Sequence, residues 1–290
     1  IDPNAPITQV EGQVLPMLNP DFEAYATDYI TKYVAPYADN PYVLGWMSDN
    51  ELEYNEEALY GYLSLDPGKP ENAYSYAMGW TFMYMKTKYT DVSKDDISTR
   101  LKKEYISLIF DRYFDVVSNI IKDVDPNHMY MGSRFVKGCV EKNDYVLKIS
   151  GLYCDLITYN CYKETAMKSD VIQKIQNLTN RPFAITEFAT AGMDACNVED
   201  GVTNGSSVAF VVRTQADRGI AIQSFVLKLM ECKYCVGFDW FKYWDNDPTD
   251  ENADDSNRDS NKGMYSNEGT EYTDLSDYMK ELNKQTASVS

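Results

Sequence analysis

Histidine is almost absent from this 290-residue chain: His128 is the only one. A single histidine together with the lack of a G-x-S-x-G elbow nearly excludes a hydrolase of the Ser-His-Asp type. It also argues against zinc at Cys232-Lys-Tyr-Cys235, because such a centre needs a second CxxC or histidines. The six cysteines, at 139, 154, 161, 196, 232 and 235, are too scattered for a disulfide scaffold, and a core of this size needs none. A redox CxxC belongs at a strand-to-helix turn, whereas this one precedes a strand. Cys232 and Cys235 are therefore expected to be structural thiols or a local disulfide.

Positive charge is also scarce. Lys and Arg number 27 against 45 Asp and Glu, a net charge of -18, which repels nucleic-acid phosphate and anionic lipid. Neither is an expected partner. No run reaches the roughly 18 apolar residues that cross a bilayer, and the opening IDPNAPITQV has neither a basic n-region nor an apolar h-region, so a signal peptide, if one existed, is expected to be already gone. Two glycosylation-type sequons, Asn177-Leu-Thr179 and Asn204-Gly-Ser206, hint at secretion. No glycine-rich turn follows any strand-like run, which excludes the Rossmann and P-loop fingerprints.

Aromatic rings are plentiful. The 24 Tyr and 4 Trp have apolar faces and hydrogen-bonding edges, which suit sugar surfaces as well as cores. Along the chain, apolar spacing predicts helices over 21–38, 73–89, 96–124, 168–178, 207–231 and 273–284. Strand-like runs lie at 42–47, 129–133, 156–160, 183–188 and 236–241, the first reading as a buried strand. Strands alternating with helices predict a parallel α/β sheet, and ligand residues at strand ends favour a (β/α)8 barrel over a doubly wound sheet.

The strand ends carry the chemistry. The first run ends in Asn50-Glu51, the fourth in Thr186-Glu187-Phe188, and the fifth in Trp240-Phe241-Lys242-Tyr243-Trp244. In a barrel these C-terminal ends share one face, so Glu51 and Glu187 are expected to meet across a cleft floored by aromatic rings. Glycoside hydrolysis requires such a pair, one carboxyl protonated to serve the leaving oxygen and one ionised to attack the anomeric carbon. Arg134 and Lys137, just past another strand, are candidates for a sugar hydroxyl, carboxylate or sulfate ester, or for an ion pair with a cleft acid. The acidic segment 245–263 lacks the glycine-centred calcium loop and reads as a solvated loop at the cleft rim rather than a metal site.

The segments NPYVLGWMSDNE, RPFAITEF and VGFDWFKYWDND resemble the strand-four, strand-seven and strand-eight motifs of the clan-A retaining glycoside hydrolases. The likeness is nearest to agarase and porphyranase-like β-galactan hydrolases, and DPNHMYMGSRF and DLITYNCY fit their strands five and six. The resemblance implies that Glu51 is the general acid/base and Glu187 the nucleophile, with a carboxyl separation of roughly 5 to 5.5 Å. It implies that Asn50 bonds the hydroxyl beside the reacting carbon, that Tyr159 orients Glu187, and that Trp240 and Trp244 stack on sugar rings. Asp239-Trp240-Phe241 departs from the His-Trp-Phe frequent in agarase-like members.

By the same resemblance the first strand here is the family's fourth. Residues 1–290 are then the C-terminal part of a single (β/α)8 catalytic barrel, supplying about strands four to eight. The first three βα units are expected in a preceding segment or in a second chain. The implied function is retaining hydrolysis of a β-linked polysaccharide of agarose or porphyran type, with no cofactor and no metal, by a secreted or cell-surface protein. The alternative is a catalytically inactive carbohydrate-binding barrel, which Glu187→Gln would distinguish.

Overall fold

A computed structural model describes residues 17–52, 57–88 and 97–289. The opening decapeptide, and the outer ends of the helices expected over 73–89 and 96–124, lie outside these residues. Packing divides the chain into two compact units, one of residues 1–157 with 177–181 and the other of 158–176 with 182–290.

The first unit begins with α1 (Asp21–Val34), which passes into a 3-10 turn at Pro36. The strands β1 (Gly45–Trp46) and β2 (Asp49–Asn50) follow, then α2 (Ala58–Leu63), α3 (Pro70–Thr87) and α4 (Thr99–Val124). Next come β3 (Met129–Tyr130), β4 (Ser133–Val136), α5 (Lys137–Lys142) and α6 (Asp144–Tyr153). Helix α4 is capped by Ser98, whose hydroxyl accepts from the Leu101 amide. It buries a stripe including Leu101, Tyr105, Ile109, Phe110, Phe114 and Ile121, each such side chain contributing about 1.5–3 kcal/mol when fully removed from water.

Strands β1 and β3 run parallel, as do β2 and β4. The single strand expected over 42–47 is thus corrected to two short ones. Gly132, at φ +67°, interrupts their partner between β3 and β4. Tyr42 is 95% exposed and Leu44 68%, so the start of that run is not buried: it lies in the turn before β1.

The second unit carries β5 (Ile157–Asn160) from Thr158 on, α7 (Ser169–Thr179) as far as Gln176, β6 (Phe183–Glu187) and β7 (Thr190–Gly192). It continues with β8 (Phe210–Val212), α8 (Gln215–Met230), β9 (Cys235–Phe238), α9 (Asp255–Arg258) and α10 (Thr273–Val289). Strands β5, β6 and β9 lie in that order, with β6 parallel to β9, and β7 pairs in parallel with β8. The helix expected over 207–231 begins only at 215, where Thr214 accepts from the Asp217 amide as its N-cap. Phe188 stacks on Phe225 of α8 at 4.6 Å. Gly219 of α8 admits the Tyr278 ring of α10, which an added Cβ would meet at 2.4 Å.

Candidate active site

Strand β2 is held by its first residue. Asp49 accepts hydrogen bonds from the Tyr113 and Ser133 hydroxyls and, at 3.0 Å, from Ser48, whose oxygen is also 3.0 Å from the Tyr130 hydroxyl. Burial, followed by the Asp49 charge, pushes the Tyr113 phenol well up, so it stays a donor. The next two residues are Asn50, exposed and in register with Arg134 of β4, and Glu51, whose amide donates to the Arg134 carbonyl at 2.9 Å. Glu51 has φ +52°, a left-handed conformation costing a non-glycine residue roughly 1–2 kcal/mol. Such strain concentrates at functional positions, where the surrounding structure over-determines it. Lys137 is 4.0 Å from Glu141 one turn along α5.

In the second unit Glu187 is the last residue of β6 and 7% exposed. Its backbone carbonyl accepts from the Cys161 amide at 2.7 Å, which brings residue 162 alongside, and the Tyr162 hydroxyl donates to Glu187 Oε2 at 2.5 Å. Tyr159 is buried within β5. Tyr162 carries no signal of its own in the sequence, because the alignment of Cys161 with Glu187 is a register fact.

Beside this pair, Trp240 is half-buried, its ring edge-on to Phe188 at 5.4 Å and its Nε1 donating to the Lys262 carbonyl at 3.1 Å. Trp244 is 45% exposed and stacks on Tyr265 at 5.6 Å. Arg218 is fully buried beneath Trp240, donating to the carbonyls of Thr190 and Gly263 and to Gln215. Asp245 accepts from the Gly263 amide and the Tyr272 hydroxyl, and burial raises its carboxyl above the ordinary range.

The segment 245–263 is solvated only in its first part, which corrects the sequence expectation. Ser260, Asn261 and Lys262 are buried, because Asn261 exchanges two hydrogen bonds with the Gly192 backbone at 2.7 and 2.8 Å. Among the described residues no group of three or more His, Cys, Asp or Glu is arranged to hold a metal ion. All six cysteines are free thiols, which resolves the Cys232 and Cys235 alternative against a disulfide. His128 is engaged between Asp125 and the Asn40 carbonyl. Asn204 of the second sequon is buried, its amide donating to the Gly192 carbonyl. No described helix is long and apolar enough to cross a membrane.

Parallel strands alternating with helices place the chain in the α/β class. No protein-family model matches the chain. It is 31% identical over 176 residues to β-agarase A of Vibrio sp. (strain JT0107), covering 59% of this chain and 16% of that protein. β-Agarase B of the same strain is 28% identical over 191 residues, covering 65% and 19%. Among solved structures, BpGH50 superposes with a TM-score of 0.76 at 29% identity, over 94% of this chain and 56% of that one. An exo-β-agarase shares the fold at a TM-score of 0.76 and 22% identity, over 95% and 39%. The homologues of this chain are thus β-agarases and GH50 structures. The chain spans less than a fifth of the two β-agarases and about half of BpGH50.

Proposed function

We propose that the protein is a glycoside hydrolase that cleaves a β-linked galactan of agarose or porphyran type by a retaining double displacement. The observation that carries this reading is Glu187: a carboxylate at the C-terminal end of a parallel strand, nearly buried, with the Tyr162 phenol donating to its Oε2. The similarity to two β-agarases supports the substrate class.

In the first step a Glu187 oxygen attacks the anomeric carbon while Glu51, protonated, gives its proton to the departing glycosidic oxygen. The bond to the leaving sugar breaks and a glycosyl ester forms on Glu187. In the second step Glu51 takes a proton from water, the water oxygen attacks the same carbon, and the ester bond electrons return to the Glu187 carboxylate. Two inversions give net retention.

Asn50 serves the hydroxyl beside the reacting carbon, Arg134 a further sugar oxygen or anionic substituent, and Trp240 and Trp244 the sugar rings. Tyr159 orients or hydrogen-bonds Glu187. The chain supplies the later strands of a (β/α)8 barrel, about the fourth to the eighth, in a secreted or cell-surface enzyme. A preceding segment or a second chain supplies the rest.

The test is hydrolysis of agarose and porphyran, followed by reducing-end release and proton NMR of the first-formed anomer. Retention, with loss of turnover in both Glu51→Gln and Glu187→Gln, is the expected result. Binding without turnover in the unmodified protein would sink the enzyme reading and leave the carbohydrate-binding alternative.

A further inference from the structure

Lys262 is the least expected residue in the second unit. It comes from the acidic stretch after β9, yet it is 2% exposed. A buried ammonium is costly unless its donors and its charge are answered. Its Nζ donates to Asn257 Oδ1 at 2.5 Å and lies 5.7 Å from the centre of the Tyr162 ring and 5.2 Å from that of Phe241. Its own carbonyl accepts from Trp240 Nε1. One residue thus touches the indole expected to carry sugar and the phenol that donates to Glu187.

The charged and titratable neighbours that act on it are Asp254, Asp245 and Glu187, which favour its ammonium, and Lys242, which opposes it; the Tyr162 phenol lies beneath it. Burial is the largest influence and pushes Lys262 down to about 8. Its charge is therefore present at neutral pH. A cation on the face of a phenol ring polarises the ring, makes its hydroxyl a stronger donor, and favours a carboxylate at the far end of that hydrogen bond.

We propose that Lys262 is a positioning residue for Glu187: its ammonium, seated on the Tyr162 ring, holds the phenol against the carboxylate and supplies the positive charge that the carboxylate faces. The inference rests on the reading of Glu187 as the nucleophile. In that reaction the charge matters most when the glycosyl ester breaks, because the bonding electrons then return to the Glu187 oxygen. The preorganised ammonium favours that charge without reorganisation.

Two measurements test it, one independent of activity. In protein carrying 13Cε-labelled lysine, the Lys262 signal, assigned by its absence in Lys262→Met, is titrated in the unmodified protein and in Glu187→Gln. Coupling predicts a midpoint near 8 that falls by roughly half a unit or more when the Glu187 charge is removed. An unmoved midpoint overturns the proposal.

The second measurement is the pH profile of hydrolysis for Lys262→Met and Lys262→Arg. The Met variant is expected to lose on the order of 10-fold in kcat with little change in KM, and to move the acid limb of kcat/KM upward, while Arg restores the limb. A uniform loss at every pH in both variants, with the limb in place, assigns Lys262 a packing role and overturns the proposal. If the unmodified protein hydrolyses no galactan, the glycosidase reading fails, and the lysine titration alone still decides whether Lys262 and Glu187 are coupled. The same holds if Lys262→Met does not fold, with the signal then assigned in Lys262→Arg.

Discussion

The Tyr162 hydroxyl stands 2.5 Å from Glu187 Oε2, delivered there by a main-chain bond from Cys161 to the Glu187 carbonyl. A donor on a carboxylate oxygen fixes the plane of the group and favours its ionised form. Tyr162→Phe is expected to keep the fold and lower kcat/KM by about 10- to 100-fold, the worth of a hydrogen bond to a charged group. Steady-state kinetics beside a thermal melt separate the two effects. A melt that collapses with the activity would make Tyr162 a fold residue.

Glu51→Gln and Glu187→Gln should differ in kind. The acid/base variant is expected to lose roughly 10²–10⁴-fold on ordinary galactan. It should recover on a substrate whose leaving group needs no proton when azide replaces the activated water. The nucleophile variant should gain nothing from that substrate. Equal behaviour of the two would refute the assignment of roles.

Asp125 is fully buried. Burial pushes its carboxyl up, but hydrogen bonds from Trp46 Nε1, His128 and the Asn127 amide outweigh that and hold it below the ordinary carboxylate range. A carboxyl depressed in the folded state stabilises above its unfolded value of about 3.9, and the contribution is lost as pH falls through the folded value. Urea unfolding between about pH 5 and 2 should therefore show an acid-dependent loss of stability that Asp125→Asn flattens. An identical slope in the variant would remove Asp125 from the account.

Arg218 answers two carbonyls and Gln215 from a fully buried position, near the Asp245 charge. Arg218→Met should leave those acceptors and Asp245 uncompensated and cost about 3–5 kcal/mol. Chemical denaturation measures it. A loss under about 1 kcal/mol would mean that water replaces the guanidinium.

Gly132 has φ +67° and no room for a methyl group, since an added Cβ would lie 2.6 Å from Cys154 Sγ. Gly132→Ala is expected to cost about 1–3 kcal/mol and, by disturbing β4, to impair turnover. Unchanged stability would show that the turn is not fixed by this glycine.

The amphipathic pattern of α4, the parallel alternation and the positions of Glu51 and Glu187 at strand ends were all legible in the sequence, because periodicity and strand termini are local properties. Helices α2, α5 and α6 were not. ALYGYL is too short for a helical period to show, and the break at Asn143 between α5 and α6 is set by a cap, its side chain accepting from the Val146 amide. At the site, the place of Tyr162 beside Glu187 was not legible, because it turns on which main-chain groups pair across β5 and β6. Lys262 escaped notice for a related reason. Its neighbours in sequence are acidic and polar, and tertiary hydrogen bonds, among them the two between Asn261 and the Gly192 backbone, draw it inside.

Those two bonds bear on how the chain resists digestion. By composition, residues 245–263 are where a protease would be expected to cut, but cleavage requires a segment that can be drawn out and extended. Asp259 is bound by Thr203 and the Ser206 amide, Asn261 is bound to Gly192, and the ammonium after it is enclosed. Nicking should be confined to the exposed part near 247–252. The two pieces should stay clasped together, giving a cut chain on a denaturing gel and an intact particle in solution.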